Sequence, residues 1–148
     1  MRVLLLSFLA CLFILSCNDS KKENETTQNK KEPIVYDMYE PSEMALLMNE
    51  MYAHNLKIKQ DILDGKMPAE FPLEFLKIHS AELTKAKDRN ATFESFSKLF
   101  IQTEKEIFNQ ASTQPIEERF NNAVNVCISC HQTNCTGPIP RIKKLLIK

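Results

Sequence analysis

The sequence predicts an all-α protein in which residues 41–148 form an antiparallel four-helix bundle. Only two glycines occur, Gly65 and Gly137, which are too few for the many tight turns of an all-β fold. Apolar residues recur at helical spacing in four segments of about 15 to 22 residues. The links between these segments are short, as they are in bundles with up-down-up-down order.

The N-terminus has the features of a secretory signal. Arg2 is followed by an apolar run from Val3 to Leu15 that only Ser7 interrupts, and this run is too short to span a bilayer as a mature helix. The run ends in Ile-Leu-Ser-Cys, which resembles the bacterial lipobox, where the cysteine is acylated and becomes the new N-terminus. We therefore expect a lipoprotein signal peptide over residues 1–16 and a lipid anchor on Cys17. The alternative is a simple secretory cleavage nearby.

A flexible tether is expected over residues 17–40. Residues 18–33 contain no aromatic or aliphatic side chain, so this stretch cannot bury enough surface to offset its ordering entropy. A tether of this kind lets a folded domain stand off a membrane, and we expect the periplasmic side of a bacterial membrane. The chain has 19 basic and 19 acidic residues, and this neutral balance does not indicate nucleic-acid binding.

The first two helices are predicted from their end signals and apolar stripes. Helix one begins after Ser42, a good N-cap, and ends near Asp64 with Gly65 as the stop. Its apolar stripe is Met44, Leu47, Met48, Met51, Ile58 and Ile62. Helix two begins around Pro72, a favoured first-turn residue, and is broken at 88–90. Its apolar residues are Phe75, Leu76, Ile78, Leu83 and Ala86.

The last two helices follow the same reasoning. Helix three begins around Thr92 and helix four near Pro115. Helix three has Phe93, Phe96, Phe100, Ile107 and Ala111 on one face, and helix four has Ile116, Phe120, Val124, Cys127 and His131. In an up-down-up-down bundle, the start of helix one lies beside the end of helix four. The methionines of helix one are therefore expected near Cys127, Cys130 and His131.

The stretch VCISCHQTNC (126–135) contains the pattern Cys-x-x-Cys-His, which is the attachment signal for c-type haem. On a helix, Cys127 and Cys130 lie on one side, where both sulfurs can form thioethers with the haem vinyl groups. His131 then presents its imidazole to the iron as the proximal ligand. Covalent attachment also consumes two thiols that would otherwise oxidise outside the cytoplasm. One covalent haem c is the cofactor that the motif predicts.

Two other chemistries and an accident of composition compete with this interpretation. A zinc site could use Cys127, Cys130, His131 and Cys135, but common zinc sites separate their ligand pairs by a dozen or more residues. A dithiol redox switch expects a Cys-x-x-Cys beside a βαβ pattern, and the chain has no such pattern. The haem interpretation is favoured over all three.

A haem-attachment motif in the last helix of an exported four-helix bundle resembles cytochrome c-prime and the related low-spin cytochromes. The resemblance covers residues from about 42 to 135, and residues 127–131 are its specific part. It implies a sixth iron ligand in the early turns of helix one, at Met48 or, as second choice, Met44. The chain departs from the family at Asn134 and Cys135, where members usually carry an aromatic-basic pair.

The expected function is one-electron transfer to or from a redox partner protein, without enzymatic activity, because iron held by Met and His can only pass electrons. The alternative is a five-coordinate haem protein that binds or senses small gases. The basic stretch from Arg141 to Lys148 is expected to fold back near the haem edge, where it could steer an acidic partner. Cys135 is expected to be a buried, apolar residue in a monomeric protein, with an intermolecular disulfide as the alternative.

Overall fold

The computed structural model describes residues 40–68 and 70–148, and within them all regular structure is helical, so the all-α class is confirmed. The predicted signal sequence, Cys17 and the tether up to residue 39 lie outside the described residues. None of the described helices is long and apolar enough to cross a membrane. The helices are α1 (Glu43–Leu63), α2 (Ala91–Ile107), α3 (Ile116–Asn134) and α4 (Ile139–Ile142), with 3₁₀ helices at Leu73–His79, Ala86–Asp88 and Lys143–Leu145.

Helix α1 begins and ends where the sequence predicts. The Ser42 hydroxyl accepts a hydrogen bond from the amide of Ala45 at 3.3 Å, which satisfies one of the free amides of the first turn. At the other end Asp64 is the C-cap and Gly65 has a φ of 71°. This left-handed conformation costs a glycine little and is the usual way for a helix to stop.

The predicted second helix is wrong in type and length. A 3₁₀ helix covers only Leu73–His79, and the chain then continues as irregular structure with one 3₁₀ turn before α2. The buried residues Pro72, Phe75, Ile78 and Ala81 are spaced by three. A spacing of three matches the 3₁₀ repeat, in which residues i and i+3 lie above one another. Leu76, which the α-helical interpretation placed on the buried face, is exposed instead.

Helices α2 and α3 form a helical hairpin, and capping side chains fix both ends of its first member. The Asn90 side chain accepts a hydrogen bond from the amide of Phe93 at 3.0 Å. At the end of α2, the guanidinium of buried Arg119 donates to the carbonyl oxygens of Glu106, Ile107 and Asn109 at 2.7, 3.0 and 2.8 Å. The Glu106 and Asn109 carbonyls also accept backbone amides, whereas the Ile107 carbonyl would otherwise lack a partner at the helix end. Helix α3 starts directly after Pro115, as predicted.

The core consists of two clusters that meet at Cys127. The first joins the first half of α1 to the 3₁₀ helix and α2, through Met44, Leu47, Met51, Phe75, Ile78, Ala81, Phe93, Phe100 and Ile101. The second joins the second half of α1 to α3 and the C-terminal segment, through Ile58, Ile62, Ile107, Phe120, Ala123, Val124, Ile128, Ile142 and Leu145. Cys127 packs against both clusters, so the predicted neighbourhood of early α1 and late α3 is confirmed.

Hydrogen bonds hold two irregular segments against the long helices near the meeting point of the two clusters. The backbone at 82–84 is held to the start of α1, because the amide of Met44 donates to the carbonyl of Glu82 at 2.9 Å. The C-terminal segment is held by Lys59, whose ammonium donates to the carbonyls of Lys144 and Leu146 at 2.9 Å each. Asn121 exchanges two further hydrogen bonds with the backbone of Ile147.

Candidate functional site

A cavity of about 380 Å³ lies where α1, α3 and the C-terminal segment meet. This volume falls within the range of pockets that hold small ligands and cofactors, roughly 300 to 1,000 Å³. The cavity gathers the residues that the sequence singles out, and several exposed residues at its rim bring it to the surface. Its lining includes Met44, Met48, Met51, Tyr52, Asn55, Phe93, Phe100, Cys127, Cys130, His131, Cys135 and Arg141.

Cys127 and Cys130 both face this cavity from one side of α3. Both are free thiols and both are half-buried. Burial raises the pKa of the Cys127 thiol, to which the neighbouring Glu104 adds, and burial also raises the pKa of Cys130. A thiol that functions as a redox nucleophile or as a zinc ligand usually has a lowered pKa. The two cysteines therefore have surroundings unlike those of an activated dithiol.

His131 lies one residue further along α3 and is oriented by the backbone. Its Nδ1 lies 2.9 Å from the carbonyl oxygen of Cys135. A carbonyl oxygen can only accept, so Nδ1 carries a proton and donates it; in the neutral imidazole this leaves the lone pair on Nε2. Histidines that bind metals are commonly oriented by such a hydrogen bond from the other ring nitrogen. The bond exists because α3 ends at Asn134, which leaves the carbonyl of Cys135 free to accept it.

Three methionines of α1 line the same cavity as the motif. Met44 and Met51 are buried, whereas Met48 is only half-buried. Residues 44, 48 and 51 are spaced by four and three, so they follow one face of the helix. The structure therefore brings the predicted ligand candidates Met48 and Met44 together with Cys127, Cys130 and His131. Met51 is a third thioether in the same lining.

A buried polar pair lies behind Cys127, and sequence reasoning missed it. Glu104 is 1% exposed, and neither of its carboxylate oxygens has a hydrogen-bond partner among the described residues. Burial raises the pKa of Glu104 to about 8, and the nearby Asn55 lowers it somewhat. Asn55 is itself buried and lines the cavity, with its amide nitrogen donating to the carbonyl of Met51 at 3.1 Å. A signal was present, because Glu104 continues the buried face of α2 between Phe100 and Ile107.

The C-terminal segment closes one side of the cavity, with Arg141, Ile142 and Leu145 in its lining. The prediction that this segment folds back toward the motif is confirmed. The interpretation of Cys135 as a buried residue is wrong, because Cys135 is exposed at the end of α3. The helix stops there before Gly137 and Pro138, so Cys135 is not drawn into the core. Its backbone carbonyl contributes to the site by orienting His131.

No group of three or more His, Cys, Asp and Glu side chains within residues 40–68 and 70–148 is arranged to hold a metal ion. A structural zinc site assembles about four such ligands. The described residues therefore show no preformed site for a structural zinc ion.

Compared with protein-family models, with curated proteins and with solved structures, the chain matches none of them.

Proposed function

We propose that the protein is a monohaem c-type cytochrome that transfers single electrons at an extracytoplasmic membrane surface. The observation that carries the proposal is the shared cavity: Cys127, Cys130 and His131 line it from α3, and three methionines line it from α1. Haem c supplies an iron that changes oxidation state by one electron, and its axial ligands set the potential. The protein residues attach the group, orient it and exclude water from it.

The residues present fit this group in three respects. The two thiols lie three residues apart on one side of a helix, where both can be joined to one planar ligand. His131 is held in the tautomer that leaves Nε2 free for iron. The other side of the cavity offers soft thioether sulfurs, and a Met and His pair raises the potential of haem iron.

Met48 is proposed as the sixth ligand, with Met44 as second choice. Met44 is fully packed into the first core cluster, whereas half-buried Met48 lies at its edge. Movement of the Met48 thioether toward a ligand would therefore disturb the core least. The rival function is a five-coordinate haem protein that binds small gases. The methionine lining favours electron transfer over this rival.

The wider proposal places the protein on the periplasmic side of a bacterial membrane, anchored through Cys17, and as a monomer with a separate redox partner protein. We also propose that the protein is related to the four-helix cytochrome group. In this protein the 3₁₀ helix Leu73–His79 would take the place of the second helix. That 3₁₀ helix packs on both α1 and α2, as a second bundle helix would. Exposed Cys135 makes the monomer directly testable, since a dimer on a non-reducing gel that Cys135→Ser abolishes would contradict it.

The absorption spectrum of the ligand-free ferrous protein tests the choice between the two functions. We expect sharp low-spin bands that carbon monoxide leaves largely unchanged, because a Met sulfur occupies the sixth position. Met48→Ala should convert this spectrum to a high-spin one that responds to carbon monoxide. Met51→Leu is the matched control, since it removes a sulfur from the same helix face and should leave the spectrum low-spin.

The outcomes test the choice of Met48 as ligand separately from the electron-transfer function. If Met44→Ala alone produces the high-spin spectrum, the mechanism stands and Met48 is the wrong residue. A wild-type protein that is already high-spin and binds carbon monoxide readily contradicts electron transfer and supports the gas-binding alternative.

A further inference from the structure

The guanidinium of Arg141 is a restrained cation in the lining of the cavity. Its carbon lies 3.9 Å from the centroid of the Tyr52 ring, a cation–π contact. Its Nη1 donates to the side-chain oxygen of Asn49 at 2.8 Å. Both partners belong to α1, so two contacts hold the C-terminal segment and its charge against the helix that carries the methionines.

This cation has unused binding capacity. A guanidinium carries five N–H donors in a planar fork, and among the described residues the Arg141 guanidinium donates to one acceptor, the side-chain oxygen of Asn49. No ion pair involving Arg141 occurs in the part of the chain that the structure describes. A restrained arginine with free donors is well suited to bind a carboxylate in a bidentate manner.

We propose that Arg141, clamped by Tyr52 and Asn49, is the carboxylate-binding residue of this cavity and binds a propionate group of the haem. The inference rests on the proposed function, because the propionates are the carboxylates that haem carries. It goes further by assigning a role to the C-terminal segment, which brings the cation to the cavity. Lys85 also lines the cavity, but no hydrogen bond or ion pair fixes its ammonium among the described residues.

The fold of the segment after α3 places Arg141 at the cavity. Pro138 is the N-cap of the short helix α4, and Ile142 and Leu145 are buried against α1 and α3. These anchors place Arg141 beside Tyr52 and hold its exposed side chain at the rim. The anchoring by Lys59 and Asn121 lies further along the same segment, so the position of the segment and the charge of Arg141 can be varied separately.

Resonance Raman spectroscopy of the full chain with covalent haem tests the proposal through the bending bands of the propionate groups. Arg141→Gln should shift a propionate band to lower frequency, because the hydrogen bonds to that carboxylate are lost, while the bands that report spin state stay in place. Arg141→Lys keeps the charge but loses the fork, and it should give a smaller shift. This second variant also serves if Arg141→Gln does not fold.

Two control variants give the test its specificity. Lys85→Gln removes a charge from the same cavity lining, and Lys59→Ala loosens the same C-terminal segment without touching the cavity. Both should leave the propionate bands unchanged. Unchanged bands in both Arg141 variants would overturn the proposal, and so would an equal shift in Lys59→Ala, since the effect would then belong to the segment. A wild-type protein without covalent haem overturns the proposed function itself, an outcome that the haem content reveals before any Raman spectrum is recorded.

Discussion

Glu104 shows how a single residue can depart from the pattern around it. It continues the buried face of α2 but carries a carboxyl group, and its exposed fraction is 1%. A charged carboxylate is costly in such surroundings unless it is paired, and no partner for its oxygens occurs among the described residues. The carboxyl group is therefore neutral at and below pH 7, which agrees with the rise of its pKa to about 8.

The stability of the protein should consequently depend on pH through Glu104. The folded pKa of about 8 lies above the ordinary value of 4.5, so the unfolded chain loses this proton first as the pH rises. The contribution of Glu104 to the free energy of unfolding is fully present below pH 4.5 and is lost progressively up to about pH 8. At pH 7 the loss is about 3 kcal/mol.

Glu104→Gln should remove this dependence, because glutamine does not titrate. Urea unfolding at pH 5 and pH 7 measures the effect: the wild type should lose about 2.5 kcal/mol between the two, and the variant much less. The exposed Glu118→Gln is the control and should behave like the wild type. An equal pH dependence in Glu104→Gln and the wild type would contradict the assignment.

The sequence could predict the position of some site residues but not of others. Cys127, Cys130, His131 and the methionines were predictable because helical spacing and antiparallel order bring them together. Arg141 was recognised only as part of a basic stretch, since its position depends on the turn after Asn134 and on contacts with Tyr52 and Asn49. Contacts between residues so distant in the chain leave no periodic signal in the sequence.

Among the elements, the caps were predictable and the second helix was not. Ser42 and Gly65 fixed α1 because each signal acts locally. In the second segment the same apolar residues fit both an α-helical stripe and a repeat of three. Tertiary packing decides between them, because Phe75 and Ile78 are buried at 2% and 4% exposure while Leu76 and Leu73 remain outside. Side-chain burial of this kind outweighs the weak local preference.

The side-chain cap at the end of α2 is expected to contribute to the stability of the protein. Arg119 donates to three carbonyl oxygens there and is buried. Arg119→Met keeps most of the apolar stem but removes three hydrogen bonds and leaves the buried Ile107 carbonyl without a donor, so we expect a loss of about 3 kcal/mol in the free energy of unfolding. Urea denaturation followed by circular dichroism measures it. The exposed Lys98→Met should change stability by less than about 0.5 kcal/mol, and a similarly small effect for Arg119→Met would show that the cap is unimportant.

At the scale of the whole molecule, exposed positive charge is concentrated beside the cavity. Arg141, Lys143 and Lys144 are exposed on the segment that lines it. Such a patch should steer an acidic partner, and attraction between exposed charges weakens as salt shortens the screening length. We expect the second-order rate of electron exchange with an acidic redox protein to fall as ionic strength rises. In stopped-flow experiments, Lys143→Gln with Lys144→Gln should flatten this dependence, whereas Lys98→Gln should not; a salt-independent wild-type rate would contradict the steering.

The central claim is that Cys127 and Cys130 hold a haem covalently, and the mass of the intact protein tests it most directly. The full chain is expressed with a system that attaches haem to cytochromes, denatured and analysed by mass spectrometry beside a haem-stained gel. The account predicts one haem per chain that survives denaturation, loss of that haem in the double variant Cys127→Ala, Cys130→Ala, and its retention in Cys135→Ser. A denatured wild-type chain with the mass of the polypeptide alone, and no haem stain, would contradict the claim.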